Sequence, residues 1–165
     1  MRPLPDAPAE LVETLSLPPG AALGELDADS RPRNLLEARI IATLLARELG
    51  GTYRRVHGIT LRADASALEA VYPILLSTYA RRTIRSTEEL RDIHRHGALF
   101  SEILARRAGA EWVDIDDVDA GHWSMIVPPN TRVWPFGRIA RVLALGAKDR
   151  DLVHTFRELV ARAGR

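Results

Sequence analysis

Residues 86–115 read STEELRDIHRHGALFSEILARRAGAEWVDI, and this stretch decides the fold class. Ser86 with Glu89 three positions later has the form of a capping box, in which each side chain serves a backbone donor that the helix start leaves unpaired. Leu90, Ile93, Leu99, Phe100, Ile103 and Leu104 then recur at helical spacing up to Gly109, a residue type suited to the left-handed turn that ends helices. Trp112 to Ile115 follows at once as a strand. A long helix running straight into extended chain predicts an α+β domain.

Working outward, Trp123 to Val127 reads as a second strand, parted from the first by acidic residues and Gly121. Pro135 opens a helix through Leu145, because its missing donor is harmless in a first turn, and Gly146 closes it. Asp149 caps a last amphipathic helix carrying Leu152, Val153, Phe156, Leu159 and Val160. On the other side, Leu35, Leu36, Ile40, Ile41, Leu44, Leu45 and Leu49 make an apolar helical face over Asn34 to Leu49, with Arg39, Thr43 and Arg47 as a polar stripe. Gly50 and Gly51 are the predicted end of that helix, and Tyr53 to Leu61 the predicted strand or hairpin, bulged at Gly58. Ser66 with Glu69 repeats the capping signal, and Pro73 is expected to break that helix and start a new one. Six of the ten prolines lie between Pro3 and Pro32, so residues 1–33 read as a proline-rich arm, with a short helix over Leu11 to Leu17, ahead of one domain over 34–165.

The two halves echo each other. Leu45-Ala46-Arg47, Gly50 and Tyr53 match Leu104-Ala105-Arg106, Gly109 and Trp112, and Val71-Tyr72-Pro73 matches Val133-Trp134-Pro135. The order suits two copies, 34–85 and 86–165, of a helix-strand-strand-helix unit, whose strands would meet in a small antiparallel sheet with helices on one side. The alternative architecture is a single helix-then-sheet module in the second half, covered by a helical first half.

Gly97, Phe100, Glu102, Leu104, Gly109, Trp112, Val127, Pro129, Val133, Pro135, Phe136, Arg138 and Arg141 together resemble a module of uncharacterised bacterial proteins. The resemblance covers 97–146 and implies a helix followed by a small sheet. It implies no activity and brings no catalytic residue.

Composition removes several function classes. With 46% hydrophobic and 27% charged residues over 165 positions, the chain has the balance of a folded domain. Having no cysteine, it has no disulfide, no thiolate nucleophile and no cysteine metal site, and nothing points to an oxidising compartment. Pro3, Pro5, Asp6 and Pro8 interrupt any secretory apolar stretch, and the apolar run Ile40 to Ala46 falls far short of the about 20 residues that span a membrane. The expected location is therefore the cytoplasm. Lys148 is the single lysine among 23 basic residues, which with the wealth of Ala, Leu and Gly reads as the codon bias of a GC-rich bacterium. Arginine runs are weak signs of phosphate binding in such a chain.

Asp114, Asp116, Asp117 and Asp119 with His122 are the one concentrated set of metal-ligand types. Counted as a calcium-binding loop from Asp114, the fifth and twelfth positions, which need oxygen ligands, fall on Val118 and Met125 and the glycine position on Asp119, so that motif fails. A looser site of Asp116, Asp117 and His122 remains as the alternative, a metal-assisted hydrolase. His94 and His96 stand two apart on a helix and point different ways, while His57 and His154 have no partner nameable from sequence. No nucleophile-elbow, serine-lysine or phosphate-loop motif occurs, and no cofactor is expected. Arg54-Arg55, Arg81-Arg82-Arg85 and Arg106-Arg107, with Tyr53, Tyr79 and Trp112, could bind single-stranded nucleic acid, but 22 acidic residues and a net charge of +1 argue against it. Large area sends tryptophan into cores, the expectation for Trp112, Trp123 and Trp134. Trp123 is the best of the three for an exposed anchor, and Trp123, His122 and Arg132 are the candidate contacts for a partner protein. The function that remains is a non-enzymatic protein-interaction module of accessory, adaptor or immunity type.

Overall fold

The computed structural model describes residues 31–79, 86–115, 122–145 and 152–163. They form α1 (Leu35–His57), α2 (Ala65–Tyr79), α3 (Thr87–Ala108), β1 (Glu111–Asp114), β2 (Ser124–Val127), β3 (Thr131–Val133), α4 (Pro135–Leu145) and α5 (Leu152–Ala163). The predicted proline-rich arm, apart from Arg31 to Arg33, lies outside these residues, as do Gly146 and Asp149. No described helix is long and apolar enough to cross a membrane.

The start of α3 is as predicted: Ser86 Oγ accepts from the Glu89 amide at 3.1 Å. So is its end, where Gly109 has φ 70° and the Ala110 amide donates to the Leu104 carbonyl at 3.2 Å. Asn34 caps α1, its Oδ1 accepting from the Glu37 amide at 2.9 Å.

The predicted end of α1 is corrected. The helix passes through Gly50 and Gly51 and stops only at Gly58, φ 64°, so Tyr53 to His57 is helical and the predicted strand over Tyr53 to Leu61 does not form. Each glycine costs a helix about 1 kcal/mol relative to alanine. Continuing the helix buries the Tyr53 ring, worth roughly 2 kcal/mol, and places its hydroxyl 2.8 Å from His96 Nε2 on α3. The tertiary gain outweighs the local cost.

The start of α2 is corrected as well. Its first amides are served by Asp64, whose Oδ1 accepts from the Ser66 amide at 2.9 Å and whose carbonyl accepts from the Ala67 amide at 3.2 Å. Glu69 instead meets Arg157 of α5 at 3.2 Å. Pro73 does not break the helix, for it sits on the exposed side, where water can serve the Glu69 carbonyl that loses its donor.

These corrections bear on the two halves. The Gly50–Gly109 and Tyr53–Trp112 matches pair mid-helix residues with a helix cap and a strand, and the structural counterpart of Gly109 is Gly58, after which the Ile59 amide likewise donates to a carbonyl six residues back, that of Tyr53, at 3.2 Å. The described elements of 31–79 are helices, and strands occur only after α3. The arrangement is the alternative one, a helix-then-sheet module with a helical cover.

The sheet is an antiparallel meander in the order β1-β2-β3, with β3 an addition to the two predicted strands. Trp112, Met125 and Val133 stand opposite one another in register and are buried, while Glu111, Ile126 and Arg132 make the more exposed face. On that face Arg132 Nη1 donates to the buried Ser124 Oγ at 2.8 Å. The buried face meets α4: the Phe136 ring stacks on Trp112 with centroids 5.9 Å apart and meets Trp123 edge-on at 5.5 Å.

The two long helices run antiparallel, for residue numbers rise along α1 as their partners fall along α3. Thr43 Oγ1 donates to Glu102 Oε1 at 3.0 Å, and Arg39 Nη2 lies 3.3 Å from Glu102 Oε2. Farther along, Glu48 takes Arg95 at 3.1 Å and Arg91 at 2.7 Å. Glu102 is fully buried, and loss of hydration pushes its carboxyl above the usual range against the pull of Arg39 and the Thr43 hydrogen bond.

Gly97 sets how closely α4 lies on α3. A Cβ there would stand 2.6 Å from Phe136 Cδ1 and 3.0 Å from Phe136 Cα. The second neighbour is backbone, so the clash cannot be relieved by a side-chain turn alone. Gly97→Ala gains about 1 kcal/mol of helix propensity and loses more by overpacking. The expected net destabilisation is roughly 2 kcal/mol, read as a lower denaturation midpoint at unchanged slope; a neutral or stabilising result would refute the close approach.

Candidate functional site

Among the described residues, two concavities and one buried polar network bring together side chains that could do chemistry. The network joins three helices. His96 Nδ1 lies 2.7 Å from the Asp92 carbonyl, which can only accept, so Nδ1 carries the proton and Nε2 is bare. Tyr53 therefore donates its hydroxyl hydrogen to Nε2. Tyr79 of α2 donates to Asp92 Oδ2 at 2.5 Å. Burial pushes the His96 imidazole below its ordinary value, against the opposing pull of Asp92, and pushes the Tyr53 phenol above its own. Both side chains are buried and hydrogen-bonded to each other, the condition of a helix clamp.

One concavity, about 490 Å³, lies between the start of α1 and β1, lined by Leu35, Leu36, Ala105, Ala110 and Trp112 among others. Leu35 and Leu36, expected on the apolar face of α1, are 42% and 44% exposed here. Its one cationic lining residue, Arg39, is already engaged with Glu102.

The other concavity, about 430 Å³, is built differently. One wall is the stripe Trp134, Gly137, Arg138 and Arg141 at the start of α4, and the facing wall is Thr155, Glu158, Leu159 and Arg162 on α5. Both stripes have the i, i+3, i+4, i+7 spacing that places residues on one helical face. Thr131, Arg132 and Val133 of β3 complete it. Arg138 Nη2 donates to Thr155 Oγ1 at 3.0 Å, tying one wall to the other. The Arg138 amide donates to the Trp134 carbonyl at 2.7 Å, which fixes Trp134 as the residue capping α4. Trp134 is 47% exposed beside these arginines.

The sequence-predicted sites are dispersed. Trp123 is 6% exposed and packs edge-on to Trp112 at 5.7 Å, so it is a core residue and not an exposed anchor. The exposed tryptophan is Trp134, against the expectation that all three would be buried. His122 is exposed, and Arg132 lines the cleft while its guanidinium holds Ser124. Asp116 and Asp117 lie outside the described residues. Among the described residues no group of three or more His, Asp or Glu lies close enough to hold a metal ion. Tyr53, Tyr79 and Trp112 are buried, so they make no stacking surface beside the arginine pairs, and Arg81, Arg82 and Arg85 lie outside the described residues. His94 and His96 do diverge, the first meeting Phe136 edge-on at 5.6 Å and the second meeting Tyr53. His57 and His154 are exposed, and His154 Nε2 stands 3.2 Å from Glu158 Oε1. The cleft residues Arg138, Arg141, Thr155 and Arg162 were missed because they meet only when α4 and α5 pack; their spacing along each helix was the available signal.

Tyr53→Phe leaves His96 Nε2 buried without its donor and is expected to cost about 1–2 kcal/mol by denaturant titration. Because the folded value of His96 is lowered, the unfolded chain binds a proton there that the folded chain does not. Stability is therefore complete above about pH 6.5, the unfolded value, and falls as pH drops below it. Comparing denaturation at about pH 7.5 and about pH 5.5 should show a smaller acid loss in His96→Gln than in the parent chain; equal losses would remove His96 as the source. Comparison with other proteins adds nothing to the cleft's own residues: no protein-family model, curated protein or solved structure matches this chain.

Proposed function

We propose that this chain is a non-enzymatic protein-interaction module, an accessory, adaptor or immunity-type protein of a GC-rich bacterium working in the cytoplasm, and that its partner seats on the cleft around Trp134. The observation that carries this is an exposed tryptophan, 47% accessible, on a helix cap and flanked by Arg138 and Arg141. Tryptophan offers a large flat area with few rotatable bonds, and arginine offers several donors on one plane, which is why these two types dominate binding hot spots. Among the described residues other apolar side chains are as exposed, but Trp134 alone of them lies in one cleft with Arg132, Arg138, Arg141 and Arg162, which supports a use in binding. The His96 network, although its groups are shifted, is enclosed and already satisfied, and supports a structural role.

The test compares proteins retained from a host lysate by the parent chain, by Trp134→Ala and by Val56→Ala, the last changing another strongly exposed apolar residue on α1. Trp134 is about half covered, so its substitution is expected to cost roughly 1–2 kcal/mol, and retention is compared at a temperature where melting curves show every variant folded. A partner held by the parent and by Val56→Ala but lost from Trp134→Ala is the expected outcome. Retention indifferent to Trp134 would refute the proposal.

A further inference from the structure

We infer that the Trp134 cleft recognises an acidic segment of its partner, carboxylates flanking an apolar side chain, with the carboxylates meeting Arg138, Arg141 and Arg162 and the apolar group lying on the Trp134 ring. This rests on reading the chain as an interaction module. Charge complementarity carries it. Arg132, Arg138, Arg141 and Arg162 line one cleft, and Glu158 is the one acidic residue among the lining.

A guanidinium is a planar fork that matches a carboxylate with two parallel hydrogen bonds, and it sheds its hydration more readily than an ammonium. Arg138 and Arg141 lie about one turn apart on α4 and Arg162 lies across from them on α5, so the positive charges stand on both walls. The Thr155 hydroxyl holds Arg138, which lowers the ordering cost that a loose arginine would meet on binding. Trp134 at the cap of α4 supplies the apolar floor at one end.

The same features separate an acidic peptide from nucleic acid. A polyphosphate chain suits an uninterrupted basic track, often extended along the surface and part of a strongly basic domain. Here Glu158 sits among the arginines, the cleft holds about 430 Å³, and the whole chain carries a net charge of +1. A peptide can set a backbone amide or a basic side chain against Glu158 and keep its carboxylates on the arginines, whereas a nucleic-acid backbone carries a negative charge at every step. The groove at Leu35 and Leu36 lacks this complementarity because its lining holds one arginine, Arg39, and one glutamate, Glu111.

The 165-residue chain is titrated, with fluorescence anisotropy as the readout, into three labelled probes: a peptide of glutamates around a central leucine, its glutamine counterpart, and an oligothymidine. The glutamate peptide is expected to bind, the glutamine peptide not, and the affinity to fall several-fold between about 0.05 and about 0.3 M salt. Arg141→Glu and Arg162→Glu, both exposed, are each expected to weaken binding about tenfold, with melting curves showing each variant folded at the assay temperature, and Trp134→Ala by at least as much. Arg162→Lys, which keeps the charge but loses the fork, should fall between. Equal binding of the two peptides, no binding of the glutamate peptide, or tighter binding of oligothymidine would each overturn the inference. If the lysate partner still depends on Trp134 while the glutamate peptide does not bind, the interaction module stands and the acidic chemistry falls. If lysate retention ignores Trp134, the module itself falls, whatever the peptides do.

Discussion

The contact of Phe136 with Gly97 is the constraint on which the rest of this structure depends. With no side chain at Gly97, the backbone of α4 comes close enough for its first turn to rest on the middle of α3. The Phe136 ring then reaches the sheet, stacking on Trp112 and meeting Trp123 and His94 edge-on. One aromatic residue thus joins a helix to the inner face of three strands that are too short to be stable alone. The same contact fixes where α4 begins. Trp134 precedes Phe136 by two residues, so burying one ring turns the other outward beside Arg138 and Arg141.

The pair of long helices solves a different problem. Their shared surface is interrupted by Glu102, Thr43, Tyr53 and His96, and polar groups in such a place cost free energy unless satisfied. Thr43 hydrogen-bonds Glu102 Oε1 while Arg39 offers Glu102 Oε2 a charge at 3.3 Å without a hydrogen bond, and the Asp92 carbonyl and Tyr53 answer His96. These pairings contribute less to net stability than apolar packing of the same area would, since desolvation offsets much of the attraction. They do fix register: a slip of α1 by one turn would leave a carboxylate and an imidazole buried without partners.

The candidate site was less legible than the fold because no single segment contains it. Arg138 and Arg141 stand on one helix and Thr155 and Arg162 on another, and in an arginine-rich chain neither spacing stands out. The tryptophans show the same limit. Trp112, Trp123 and Trp134 all neighbour predicted strands or turns and have equal cause to be buried by area alone. Which of them is exposed follows from the sheet register, which turns Trp112 toward Phe136, and from the cap of α4, which carries Trp134 past the end of β3.

The sequence by itself determined the elements whose signals are local: the Ser86 cap, the glycine stop at Gly109, the two strands that follow, and the start of α4 at Pro135. Each depends on hydrogen bonds or backbone angles within a few residues, so the residues present suffice. Tertiary structure alone decided the end of α1, the unbroken course of α2 and the third strand. Gly50 and Gly51 favour ending the helix, but the gain from burying Tyr53 against His96 lies 43 residues away and exceeds the local cost. Thr131 to Val133 is too short to signal a strand and becomes one only by pairing with β2. The cleft belongs to the same class, since its two walls meet through the packing of α4 and α5.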